Sequence, residues 1–108
     1  MKLMNLLFES KDNPETFETF ADTREAGAEK IVDNAKKKGG LALLTWHHFK
    51  VKLPYYKRAA EGRFDLEKAK AEFDATYKKI STSMTQIEFQ REVGRLEVLG
   101  ELIIRNSK

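Results

Sequence analysis

The sequence predicts an all-α fold: a single small domain of four to five helices, the last two paired as an antiparallel hairpin, with a short N-terminal arm. Three observations carry this. Apolar residues recur at steps of three and four through residues 17–35 and again through 66–80, the spacing of one helix face. Residues 84–89, MTQIEF, hold a complete helix-start signature. Only one segment, 45–53, alternates as a strand would, and it has no partner strand elsewhere. At 108 residues the chain has the usual size of one domain, so residues 1–108 read as a single helical domain with 1–12 as the arm.

In the arm, Leu3, Leu6, Leu7 and Phe8 form a short apolar run that can dock on the body, and SKDNP marks its end. Asn13 then caps a helix. Pro14 stands where its missing N–H costs nothing, and Glu15 and Glu18 lie near the positive end of the dipole. Phe17, Phe20, Ala21, Arg24, Ala28, Ile31, Val32 and Ala35 keep a period near 3.6 until Lys36-Lys37-Lys38-Gly39-Gly40 stops the helix. Asp22 or Thr23 offers a second cap, a place where this helix can divide in two.

Residues 41–62, LALLTWHHFKVKLPYYKRAAEG, are harder. As a strand, Phe49, Val51 and Leu53 would alternate with Lys50 and Lys52. As a helix they present two apolar faces, Leu44, His47 and Val51 on one and Ala42, Trp46, Phe49 and Leu53 on the other. The helix is favoured, and a helix apolar on two sides lies centrally or gives one side to an oligomer. Pro54 ends or kinks it at Leu53 and starts a short helix, Tyr55 to Glu61, closed by Gly62.

Asp65 opens the next helix, whose stripe is Leu66, Ala69, Phe73, Tyr77 and Ile80. Ser81, Thr82 and Ser83 make a loop. Thr85 is then the N-cap of the last helix, Glu88 its capping-box partner, and Met84 with Phe89 a hydrophobic staple. That helix spans 86 to about 100 and carries Phe89, Val93, Leu96 and Ile103 along one side, with Glu92 and Arg95 paired on its exposed side. Gly94 and Gly100 each weaken it, so they mark close helix contacts or, at Gly100, an end.

Composition excludes several functions. There is no cysteine, hence no disulfide, thiolate metal site or cysteine nucleophile. No stretch nears the roughly 18 apolar residues of a membrane span, and the start lacks a signal peptide's cleavage site. The chain reads as soluble and cytoplasmic, with no membrane partner. The net charge of +3 is unevenly placed: residues 34–60 hold seven Lys and Arg and no acid, whereas 1–33 hold four against eight. Such a block suits an anionic partner better than a basic pI alone.

Most chemistries lack their parts. His47 and His48 are adjacent, whereas two helix-borne metal ligands need a spacing of three or four, and no carboxylate stands within four residues of either. Partly buried, hydrogen-bonded imidazoles are the expected state. The hydroxyls sit in turn and cap contexts, and no nucleophile elbow or phosphate-binding loop occurs. Glu97 and Glu101 lie four apart, the pattern of a solvated acidic face. The expectation is therefore no enzyme, no metal and no cofactor; an enzyme would need a deep pocket joining His47 or His48 to a carboxylate of another helix. What the residues favour is a small structural or interaction protein that contacts another protein or itself. The surfaces indicated are Trp46, Phe49 and Leu53, as oligomer or core face, and the apolar 99–104 segment LGELII. The alternative is weak, sequence-tolerant nucleic-acid binding through segment 36–58, with Lys50, Lys52, Tyr55, Tyr56, Lys57 and Arg58 as its exposed edge.

Overall fold

Five α-helices account for most of the residues that the computed structural model describes, 15–80 and 84–107. They are α1 (Phe17–Lys38), α2 (Ala42–Lys50), α3 (Leu53–Ala60), α4 (Leu66–Lys79) and α5 (Gln86–Asn106). The expected docking of Leu3, Leu6, Leu7 and Phe8, the cap at Asn13 with Pro14, and the Ser81–Ser83 loop lie outside the described residues. Among the described residues there is no strand, so the strand reading of 45–53 falls away.

Thr16 rather than Asn13 caps α1: its side chain accepts from the Thr19 amide at 3.0 Å, and the helix begins at the next residue. Nor does α1 divide at Asp22 or Thr23. Both are exposed, while Ala21, Ala28, Val32 and Ala35 form one continuous buried side that holds the helix through them. It ends where Gly39 and Gly40 take φ of 64° and 58°, values that glycine adopts without strain.

The helix expected over 42–53 stops at Lys50, three residues early. The ring of a helical Pro54 would meet the carbonyl four residues back, which belongs to Lys50, so the chain turns through Val51 and Lys52 and restarts at Leu53. Pro54 then sits in the first turn of α3, where no donor is missed. Helix α2 packs on both α1 and α5, though none of its residues is fully buried.

Asp65 caps α4 as expected, accepting from the Lys68 amide at 3.1 Å. Its stripe is shifted by one residue near the end, where Thr76 is buried and Tyr77 is 65% exposed. From Ala69 and Phe73 the next inward steps of three and four land on Thr76 and Ile80, and Tyr77 lies about 100° past Thr76 around the helix. The capping box at α5 is complete, with Glu88 N–H donating to Thr85 Oγ1 at 3.1 Å and Thr85 N–H to Glu88 Oε1 at 2.9 Å. Helices α4 and α5 form the expected antiparallel hairpin, as Phe73 lies against Gly100 and Lys79 reaches back to Glu92.

Two expectations for α5 change. It runs on through Gly100 to Asn106; the glycine is a contact, since a Cβ there would stand 3.3 Å from the Phe73 ring. Its deepest residues are Val98, Leu99 and Leu102, whereas Phe89 is 43% exposed and Val93, Leu96 and Ile103 are half-buried. The helix packs on α2 and α3 on one side and on α4 on the other, and the deepest line runs between those contacts. Thus LGELII places Leu99 and Leu102 in the core and leaves Ile104 at the surface. The core joins Phe20, Ala21 and Ala28 of α1, Tyr56 and Ala59 of α3, and Val98 and Leu102 of α5.

Candidate functional site

The stretch 41–62 packs on both α1 and α5, and five of its polar side chains, His47, His48, Lys52, Tyr55 and Tyr56, reach residues of α5. At one end Arg91 donates to Nδ1 of His47 at 3.3 Å. Next comes the closest crossing, where Gly94 passes the backbone of His48. Then Glu97 Oε1 receives Lys52 Nζ at 2.7 Å and faces His48 Nε2 at 3.4 Å. One helical turn further, Tyr56 donates to Glu101, which also pairs with Arg24 of α1 at 3.4 Å. On the α4 side Tyr55 donates to Glu72 and accepts from Arg95, and Arg95 holds Glu92 at 2.6 Å.

This placement corrects the sequence reading at four points. Lys52 and Tyr56, expected on an exposed basic edge, are 6% and 5% exposed, because Glu97 and Glu101 draw them against α5. Tyr55 is half-buried with its hydroxyl engaged and Arg58 over its ring at 4.8 Å, so its face is already covered. Glu97 and Glu101 are ion-pair partners of this stretch and α1 in place of a solvated acidic face. Glu92 and Arg95 do pair, though not on the exposed side: Glu92 is buried and Arg95 half-buried. Of the six edge residues, Lys50, Lys57 and Arg58 remain exposed, and Lys50 lies over the Trp46 ring. Phe49 and Leu53 pack against the core cluster, whereas Trp46 is half-buried at the margin beside His47.

The electrostatics follow from these partners. The Lys52 ammonium, hydrogen-bonded to Glu97, holds that carboxyl below the usual carboxylate range against the opposing effect of burial. Burial and the neighbouring carboxylates push the Tyr55 and Tyr56 phenols up, so both stay protonated donors. A carboxyl with a depressed folded pKa stabilises the fold above its unfolded value, near 4.5, and loses that contribution as pH falls through the folded value. Glu97→Gln should therefore lower stability at neutral pH, by about 1 kcal/mol because the carboxylate is more than half exposed to screening water. The difference between variant and parent should shrink below about pH 4; urea unfolding at the two pH values measures it.

His48 meets a carboxylate of another helix, which the sequence does not reveal because the partner is 49 residues away. Its Nδ1 is buried and has no hydrogen-bond partner among the described residues. Beside it a cleft of about 830 Å³ lies between α1 and α5, and Glu97 and Lys52 line it. No group of three or more His, Asp or Glu converges on a metal position among the described residues. No described helix is long and apolar enough to cross a membrane.

A second feature stands toward the N-terminal end of α5, where α2 comes near the end of α4 and the residues just before α5. Leu44, Ile80, Met84 and Phe89 line an open groove of about 610 Å³. Met84 and Phe89, the expected staple pair, both line this groove. Leu41, three residues before Leu44, is 86% exposed. The sequence pairs Met84 with Phe89 through the staple, whereas Leu44 and Ile80 join them only in the fold.

No family model, curated protein or solved structure matches the chain.

Proposed function

We propose that this chain is a protein-contact module that associates with a second copy of itself through the apolar end formed by Leu41, Leu44, Ile80, Met84 and Phe89. The observation that carries the reading is an open apolar groove lined by the half-buried Leu44, Ile80 and Met84 and by the exposed Phe89, with Leu41, three residues before Leu44, almost fully in water. Leaving such a patch uncovered is unfavourable by roughly 25 cal/mol per Å², and a two-fold arrangement covers one patch with its own copy. The rim also suits identical partners. Thr85, Gln86 and Gln90 beside the groove are uncharged, so two copies meet there without like charges in apposition. A different protein with an apolar face would fit the same groove.

The sequence pattern offers Trp46, Phe49 and Leu53 as an oligomer or core face; Phe49 and Leu53 pack against the core within the chain, which leaves association to the apolar end. The alternative use, sequence-tolerant contact with nucleic acid, rests on Lys50, Lys57 and Arg58 together with the exposed Lys36, Lys37 and Lys38. For self-association the test is sedimentation of Phe89→Asp beside Lys50→Glu with Lys57→Glu. The first should be a folded monomer and the second should keep the mass of the parent; equal masses for all three proteins would rule out this interface.

A further inference from the structure

Trp46, the only tryptophan of the chain, belongs to a run of side chains that engage one another across α2 and α5. Lys50, one turn further along α2, holds its ammonium 5.7 Å from the centre of an indole ring. His47 sets its ring perpendicular to the indole, with centroids 4.9 Å apart. From α5, Arg91 donates Nε–H to His47 Nδ1 at 3.3 Å. Among the described residues neither Lys50 nor Arg91 has a carboxylate within 4.0 Å, whereas Arg24, Lys52, Arg95 and Arg105 each hold one. The acids on this part of α5 are engaged elsewhere: Glu88 accepts the Thr85 amide, Glu92 holds Arg95, and Glu97 receives Lys52.

Both cations therefore keep charge and donors for a further partner. Each is exposed. Arg91 uses only its Nε–H on the imidazole, which leaves the two terminal nitrogens of its fork. A neutral imidazole that accepts at Nδ1 carries its proton on Nε2, so His47 adds one donor. Helix geometry puts these groups on one surface. Trp46 and Lys50 are four residues apart on one face of α2, and His47 stands about 100° round from Trp46, on the side that meets Arg91. Two positive charges and a ring N–H beside a half-buried indole are the parts that hold a phosphate ester joined to a planar base.

We propose that Lys50, His47 and Arg91 bind the phosphate of a nucleotide, free or within a single strand, with Trp46 as the aromatic wall for its base. The site shares Lys50 with the basic edge and adds three residues that the edge does not contain. It uses none of the groove residues, so it stands apart from self-association.

Trp46 reports on its own site, since the chain has no other tryptophan. With the full chain at about 50 mM salt, where phosphate contacts are strong, its emission is followed against AMP, an oligothymidylate and inorganic phosphate. AMP or the oligothymidylate should change the emission to saturation. Arg91→Gln and Lys50→Gln should each weaken that binding about tenfold, the loss of one charge-assisted contact, while Lys57→Gln with Arg58→Gln should leave AMP binding unchanged. Circular dichroism confirms that the variants are folded, and both altered side chains are exposed. A tighter oligothymidylate assigns the site to a strand and equal affinities assign it to a free nucleotide; either supports the proposal. No saturable change with AMP or the oligothymidylate, an Arg91→Gln variant that binds like the parent, or inorganic phosphate that binds as tightly as AMP would overturn it.

Discussion

Gly94→Ala is expected to destabilise this protein by about 3 kcal/mol, although alanine is the better helix former by about 1 kcal/mol. The added Cβ would stand 2.2 Å from the carbonyl oxygen of His48 and 2.9 Å from Cγ2 of Val51. The first neighbour is backbone and cannot rotate away, so α2 and α5 must separate, and overpacking of this kind typically costs roughly 1–3 kcal/mol or more. For a fold with roughly 5–15 kcal/mol of total stability, that is a large share. Gly100→Ala makes the contrast. Its nearest neighbour is the rim of the Phe73 ring at 3.3 Å, which can turn slightly, so a change within about 1 kcal/mol is expected. Urea unfolding of the two variants checks the pair, and a stabilising Gly94→Ala would mean that α2 does not cross α5 here.

Leu102→Ala should cost about 3 kcal/mol, because Leu102 is fully buried and the cavity left behind adds to the lost transfer energy. Ile104→Ala, two residues on, should change stability by less than about 0.5 kcal/mol, since Ile104 is 62% exposed. The two together test the register of α5. If Ile103→Ala proved the costliest of the three, the stripe expected from the sequence would be the true one.

How much is legible depends on how local the cause is. The caps at Asp65 and Thr85 and the stop at Gly39-Gly40 are readable because each device acts within a few residues. The same locality misleads at α1, where Asn13-Pro14 is the more conspicuous signal and Thr16 makes the cap. Stripes are readable only to within one residue. Tyr77 and Thr76 both fit helical spacing from Phe73, and only the position of α5 decides between them. The long helix α5 shows the limit best: neighbours on two sides move its deepest line from Phe89, Val93 and Ile103 to Val98, Leu99 and Leu102.

The candidate site is least legible. Residues 41–62 concentrate Trp, His, Tyr and Lys, which in sequence resembles a binding surface. Their meaning depends on carboxylates 17 to 49 residues away, namely Glu72, Glu97 and Glu101. Once these are in place, Lys52, Tyr55 and Tyr56 are fastenings of this stretch. The apolar groove is lined by the half-buried Leu44, Ile80 and Met84 and the exposed Phe89, which come together only in the fold.

Self-association through that end is the central functional claim, and light scattering coupled to gel filtration tests it most directly. Across micromolar loading concentrations the mass should rise from that of one chain, 12.5 kDa, toward twice that value. A mass that stays at one chain throughout would contradict it.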